Sequence, residues 1–469
     1  MHLDRINRSF VMKMNLLEIA KAVNGDLNSK KYENVDVTGV SFDSRKLKPN
    51  DLFVPLTGKH DGHDFIASAI ENGASATFWN KSRSEDAPKG FPVILVDDTL
   101  KVLQDLSSHY LNKINPKVVA ITGSNGKTTT KDMIASILAT QFNVCKTHAN
   151  FNNEIGVPIT ILSMESNTEY LVVEMGMDRP GQLDFLSKLV KPDIAVITMI
   201  GEAHIEFFGT RDKIADAKME ITHGLRPDGV FVYDGDEPLL NERAKALDVE
   251  KLTFGRKDTN DIYPKDVFDG DHETTFKTNK LGNMKFTIPL IGDYNVNNAL
   301  AAIEVGELAE ILPANMRGAL DHTNFTNNRT EWVKGANGEM ILSDVYNSNP
   351  SALKAVLKAF QDTHLDGKRV AVLGDMLELG DHAQEMHEGI SDAINPQLIQ
   401  QVYLVGPLMK SLYKMLQKKY PNQNNLHYYA TDQLDQLAKD LDSQLSTGDE
   451  VLLKGSHGIH LEQILKALE

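Results

Sequence analysis

The stretch ITGSNGKTTTK, Ile121 to Lys131, has the residue types and spacing of a phosphate-binding loop. Gly123 and Gly126 let backbone amides turn toward phosphate oxygens, and a helix opening at Lys127 adds the positive end of its dipole. Lys127 brings a charge to the terminal phosphates, and the Thr128 hydroxyl can ligate Mg²⁺. Ser124, Asn125 and Thr129 are the loop's remaining nucleotide-binding positions. The strict pattern has four residues between its glycines, whereas two separate Gly123 from Gly126. A plain loop-to-helix turn is the alternative reading; Gly-Lys-Thr-Thr between a strand and a helix favours phosphate. Glu174 and His204 each follow an apolar, strand-like run. Behind a phosphate loop, both become candidate Mg²⁺ ligands.

These groups need a frame. From residue 117 the pattern alternates strand, turn and helix: strands at 117–122, 170–175 and 194–199, helices at 127–142 and 295–311. That alternation predicts a parallel sheet covered by helices. Residues 255–290 are more polar and read as hairpins or insertions. Before this lies a small mixed α/β unit, with helices at 16–23 and 65–72, strands at 35–42, 51–56 and 93–96, and a linker at 112–116. After it, strands at 340–345, 369–373, 401–405 and 450–454 predict a second doubly wound unit, with no G-x-G-x-x-G turn and so no dinucleotide site. The expected boundaries are 1–114, 115–318 and 319–469. The fold class is α/β: a small mixed N-terminal domain, a central P-loop parallel-sheet domain and a C-terminal Rossmann-like doubly wound domain.

Composition limits the partners. The chain has 469 residues, 41% hydrophobic and 24% charged, enough for about three domains with cores of their own. Its formal net charge of −16 argues against sequence-independent binding to nucleic acid or to an anionic membrane. One cysteine, Cys145, makes no intrachain disulfide and no cysteine-rich zinc site. No apolar run reaches the length of a membrane span, and the polar N-terminus lacks a signal peptide's apolar core. A cytoplasmic monomer is the expectation. Met12 and Met14 compete with Met1 as the start, which would make the first dozen residues a loose tail.

Several segments together resemble the Mur ligases of peptidoglycan synthesis. They are TGSNGKTT, HANFNNEIGVP (148–158), AHIEFFG (203–209) and DAKMEI (216–221). The stretch 43–74, DSRKLKPNDLFVPLTGKHDGHDFIASAIENGA, is similar to the uridine-nucleotide domain of the family's two later members, and VLGDMLELG (372–380) to the last of them. The resemblance implies an ATP-dependent amide ligase that joins D-alanyl-D-alanine to UDP-N-acetylmuramoyl-tripeptide through an acyl phosphate. A folylpolyglutamate synthetase-like ligase shares the loop and that logic, but not the uridine-type segment or VLGDMLELG. A P-loop nucleotide-binding module is the alternative from another class.

The resemblance also implies roles. Thr128 and Glu174 would hold a first Mg²⁺, His204 would help hold a second, and Lys218 would be carbamylated by CO₂ to give an anionic oxygen ligand. Lys127, Lys218, His204 and Glu174 form the catalytic set. Asn295 and Asn298, in GDYNVNNALAA, match an adenine-side motif in which Tyr294 replaces a usual histidine; a helix N-cap is the other reading of Asn295. Arg329 and Asp344 would close over the nucleotide. Ser44, Arg45 and Thr57 would hold the UDP end, with a surface ion pair as the alternative for Arg45. Asn150, Asn152 and Asn153 would contact the muramoyl or pyrophosphate region, and Tyr346 and Asn347 would face the active site. Near the C-terminus Lys454 and Ser456 keep a Lys-Gly-Ser-Arg-like segment in which His457 replaces the arginine. Asp375, Glu378, Glu385 and Glu388 read as solvent-facing charges. His382 and His387 do not read as a metal pair, and Met376 and Met386 read as packing.

Overall fold

The strand Lys117–Thr122 is apolar on both faces, as a strand buried between helices must be. In the computed structural model, which describes residues 12–327, 329–364 and 367–469, it lies inside a six-stranded parallel sheet. The order is Glu250–Phe254, Val230–Asp234, Ile194–Ile197, Lys117–Thr122, Tyr170–Glu174, Val144–Lys146. The strands on either side of Lys117–Thr122 come later in the chain, so their carboxyl ends open a crevice there. Register completes the placement: Glu174 pairs with Ile121, and Ile197 with Thr122. The polar segment after residue 255 forms the antiparallel sheet Pro264–Asp269, Thr274–Thr278 and Phe286–Ile288, as expected. The helix expected at 295–311 runs over Tyr294–Leu308, and Pro313 begins a further helix, Pro313–Asp321, because proline suits a first helical turn.

The N-terminal unit is a five-stranded sheet, ordered Asp26–Leu27, Val93–Val96, Ala74–Asn80, Asp51–Phe53, Gly39–Ser41. The single strand expected at 35–42 is two short ones, since Asp36–Val37 leaves to pair antiparallel with Met14–Asn15. Met12 and Met14 are buried, so a loose tail does not extend to them; Met1 lies outside the described residues. Among the elements that the sequence pattern did not announce are the strand Ala74–Asn80 and the helix Thr99–Ile114. That helix overturns the linker at 112–116: Asn112 is helical, and the chain breaks only at Asn115, which takes a left-handed conformation before Pro116.

The third unit has the predicted strands, as Met340–Asp344, Arg369–Gly374, Gln401–Val405 and Glu450–Lys454, plus edge strands Glu331–Lys334 and Leu426–Tyr429. Only Glu331–Lys334 runs antiparallel. One buried apolar cluster runs through all three units, from Met12 and Phe78 through Val173 and Ile197 to Leu353 and Leu452. Burial at about 25 cal/mol per Å² makes such continuity the main force docking the units. Among the described residues, no helix is long and apolar enough to cross a membrane.

Candidate active site

The phosphate loop is shaped by what its glycines omit. A Cβ on Gly123 would sit 1.8 Å from Thr198 Oγ1, and one on Gly126 would sit 2.3 Å from Asn298 Oδ1. Gly126 also has φ +80°, a conformation that costs an L side chain energy. The helix Lys127–Leu138 follows directly, and no side chain caps its first turn, which leaves those amides for an anion. Thr198 Oγ1 donates to Asn125 O at 2.5 Å, and Ser124 Oγ accepts from Gly201 N at 2.8 Å, pinning the loop to the neighbouring strand end.

Lys127 Nζ donates to Gly123 O at 2.8 Å, folded over its own loop. Burial lowers its pKa and nearby Arg329 lowers it further, while Glu174 opposes both. Thr128 Oγ1 donates to Glu174 Oε2 at 2.9 Å, and Asn152 Nδ2 to Glu174 Oε1 at 3.0 Å. A hydroxyl and a carboxylate, both buried, thus meet at the first helical turn. These are hard oxygen donors that suit Mg²⁺, which completes its shell with substrate phosphates and water. Among the described residues, no group of three or more His, Cys, Asp or Glu is placed to hold a metal ion.

Lys218 is 2% exposed, and burial, with the charge of Lys127, holds its pKa well below the ordinary lysine value. His204 sits in a left-handed conformation (φ 64°) at the head of the short helix Ile205–Phe208. Its Nδ1 lies 2.5 Å from Glu378 Oε2 of the third unit. Glu378 faces solvent, as expected, but is also partnered, and the contact with His204 lowers its pKa. Asp375 does not face solvent: it is 1% exposed and accepts from Met409 N at 2.8 Å. Met376 is fully buried, and His387 is spent on accepting from Met376 N at 3.0 Å.

A cleft of about 1070 Å³ joins the phosphate loop, Glu174 and His204 to the third unit, and Lys218 does not line it. Lys127, Thr128, Glu174, His204, Asn152, Asn153, Arg329, Asp344, Tyr346 and Asn347 all line it. Arg329 stacks its guanidinium 3.8 Å from the Tyr346 ring centre and leaves Nε buried and unpartnered among the described residues. Lys454 Nζ donates to Asp344 Oδ2 at 2.7 Å and to Asn347 O at 2.9 Å. His457 stacks on Tyr346, and Ser456 Oγ accepts from Leu377 N. Asn125 and Asn349 exchange side-chain amide hydrogen bonds, Asn349 Nδ2 donating at 2.6 Å, so the phosphate loop is clasped to the N-cap of Pro350–Asp362.

Several expected residues stand elsewhere. Asn295 is not an N-cap, since Asp293 holds that position. Asn295 Nδ2 donates to Ile291 O, and Asn298 Nδ2 to Asn295 Oδ1, while Asn298 Oδ1 accepts from Thr130 Oγ1. Both line the cleft, yet they also bolt their helix to the phosphate-loop helix. Tyr294 is half-buried beside them, and the loss of solvent around its hydroxyl raises its pKa. Ser44, Arg45, Thr57 and Asn150 do not line the cleft. Arg45 forms the surface pair, its Nε 2.9 Å from Asp43 Oδ1. Asn150 instead lies near enough to Tyr346 to oppose the rise in its pKa that burial causes. The sequence reading missed Asn297, whose Oδ1 is buried in the cleft wall with no partner among the described residues, and Asp234, whose carboxyl burial pushes up to about 7. It also missed the loop at 177–182; its place just past the strand end at Glu174 was the available signal.

The chain matches three family models in succession: "Mur ligase family, catalytic domain" over 36–111, "Mur ligase middle domain" over 121–306, and "Mur ligase, glutamate ligase domain" over 328–457. It is 41% identical over 459 residues to the UDP-N-acetylmuramoyl-tripeptide–D-alanyl-D-alanine ligase of Bacillus subtilis, covering 98% of this chain and 99% of that one. The chain belongs to the Mur ligase family. Among solved Mur ligases, MurF from Acinetobacter baumannii superposes with a TM-score of 0.85 at 25% identity, covering 98% of this chain and 99% of that one. MurF from Thermotoga maritima in complex with ADP gives 0.78 at 29% identity, covering 92% and 96%.

Proposed function

We propose that this protein is the ATP-dependent ligase that adds D-alanyl-D-alanine to UDP-N-acetylmuramoyl-tripeptide, forming UDP-N-acetylmuramoyl-pentapeptide for peptidoglycan. The full-length likeness to the Bacillus subtilis ligase carries this reading, and the phosphate-loop cleft supports it. The three family-model matches support a division of labour: UDP substrate in the first unit, ATP in the second, closure and acceptor in the third. We place the domain boundaries at 115 and 319 and take the enzyme to be a cytoplasmic monomer.

A free carboxylate is a poor electrophile. The tripeptide's terminal carboxylate attacks the γ-phosphorus of ATP, ADP leaves, and an acyl phosphate results. The amine of D-Ala-D-Ala then attacks the acyl carbon. The tetrahedral intermediate expels inorganic phosphate, and the amine's proton is lost as the amide forms. Negative charge builds first on the transferring phosphoryl group and then on the intermediate. Lys127, the uncapped helix amides and Arg329, which share the cleft, would offset that charge. Thr128 and Glu174 would hold Mg²⁺, with His204 and Lys218 on a second ion; bound Mg²⁺ neutralises phosphate charge. Lys218 suits that place only once modified, because a buried ammonium repels cations. Its depressed pKa favours the neutral amine, which attacks CO₂ and, losing a proton, becomes a carbamate. Asn295, Asn297 and Asn298 would read adenine, with Asp344 near the ribose. Closure of the third unit keeps water from the acyl phosphate.

Phosphate release from ATP should require both organic substrates. Either alone should give less than about a tenth of the full rate, since the acceptor amine and the carboxylate are each needed to complete turnover. Robust ATP hydrolysis with neither present would contradict the reading.

A further inference from the structure

His204 and Glu378 belong to different units, yet they meet at 2.5 Å through Nδ1 and Oε2. Both are non-glycine residues in left-handed conformations, with φ of 64° and 61°. Such backbone costs energy and persists where surrounding contacts hold it. Here the holding is mutual. Glu206 N donates to Glu378 O at 3.2 Å, and the bare Cα of Gly380 lets the chain lie against Glu206. A second contact on the same interface joins Ser351 Oγ to Glu202 Oε2. The turn at 378–380 of the third unit thus grips the turn carrying His204, and His204 lines the shared cleft.

The chemistry of the pair fixes the imidazole. An ionised carboxylate only accepts, so the nitrogen facing it must carry the proton. A proton on Nδ1 makes the 2.5 Å contact with Glu378 attractive, and Nε2 then keeps its lone pair for whatever the cleft presents. A carboxylate behind a histidine in this way sets both tautomer and ring orientation and makes the ring a stronger ligand. The short helix that carries His204 supplies no such carboxylate at this distance; the third unit does.

We infer that Glu378 is an interdomain positioning residue: docking of the third unit sets the His204 tautomer, so the second cation site is competent only in the docked arrangement. The inference rests on the ligase reading for its effect on rate, but the tautomer itself can be measured without it. Full-length protein labelled with ¹⁵N-histidine is compared as wild type, E378Q and E378A, with H204Q identifying the His204 signals. The Glu378 side chain is 45% exposed, so both variants should keep the wild-type melting temperature. Wild type should show His204 protonated at Nδ1, and E378A should shift it toward the Nε2-protonated form. In the same variant, kcat for phosphate release should fall about 10- to 100-fold, with KM for ATP nearly unchanged, because the phosphate loop is untouched. E378Q should fall between. E202Q, on the same interface but off His204, should keep the wild-type tautomer. An unchanged tautomer in E378A would overturn the inference, as would an unchanged kcat or an equal tautomer shift in E202Q. Failure of the ligase reading would show separately, as wild-type protein that releases no phosphate with both substrates.

Discussion

Lys127→Ala should lower kcat for ligation by about 10³-fold while leaving KM for the UDP-tripeptide within a factor of two. The size follows from where the charge sits. Removing one well-placed donor from a developing oxyanion costs about 10²- to 10³-fold in other enzymes, and here a full positive charge is removed from a buried cleft. Lys127 Nζ donates to Gly123 O, so in the free protein it is held on the loop and spends no carboxylate partner. Its removal therefore leaves no unpaired acid behind, and the fold should survive. The loop's shape comes from Gly126 and from the Thr198 and Ser124 contacts, which the substitution does not reach. Steady-state phosphate release at saturating substrates checks this, with a melting curve as control. A loss below tenfold would move the phosphoryl charge away from Lys127.

Lys218→Ala should lower kcat by about 10²-fold, and short carboxylates such as acetate should restore part of it. The Lys218 side chain is buried, makes no hydrogen bond or ion pair with the described residues, and faces the charge of Lys127. A neutral amine there contributes little to binding a hard cation, whereas a carbamate contributes two anionic oxygens. Acetate offers the same oxygens and fits the space left by the lysine stem. Wild type should also gain activity with added bicarbonate after CO₂ is stripped. Full activity of the unaided variant would remove Lys218 from the mechanism. A loss that no carboxylate repairs would leave the lysine a merely structural role.

The parts of this molecule that are written locally were legible in its sequence. The phosphate loop is one continuous stretch, so Gly126, Lys127 and Thr128 could be placed before any fold was known. Glu174 followed because a strand end beside such a loop has one place to be. The strand pattern of the third unit was readable for the same reason, with runs such as 369–374 buried on both faces. What stayed hidden depends on long-range pairing. Asn125 and Asn349 are separated by 224 positions, and nothing near either announces the other. Glu378 looked like no more than a surface charge because its partner is His204, in another unit. Asn295 and Asn298 offered amides whose hydrogen bonds go to Ile291, to each other and to Thr130. Arg45 turned to its near neighbour Asp43, a choice composition cannot decide. The helix ending at Ile114 was misread because Asn112 and Pro116 are both turn formers, although only the break at Asn115 and Pro116 stops the chain.

The acyl phosphate is the step on which every role above depends, and isotope transfer reports it directly. UDP-tripeptide carrying ¹⁸O in its terminal carboxylate is turned over with unlabelled ATP and D-Ala-D-Ala, and the released phosphate is weighed by mass spectrometry. If the carboxylate is phosphorylated before the amine attacks, each turnover leaves one carboxylate oxygen in the phosphate, so fully labelled substrate should give phosphate with one ¹⁸O. Phosphate without label, formed while the amide is made, would contradict the account.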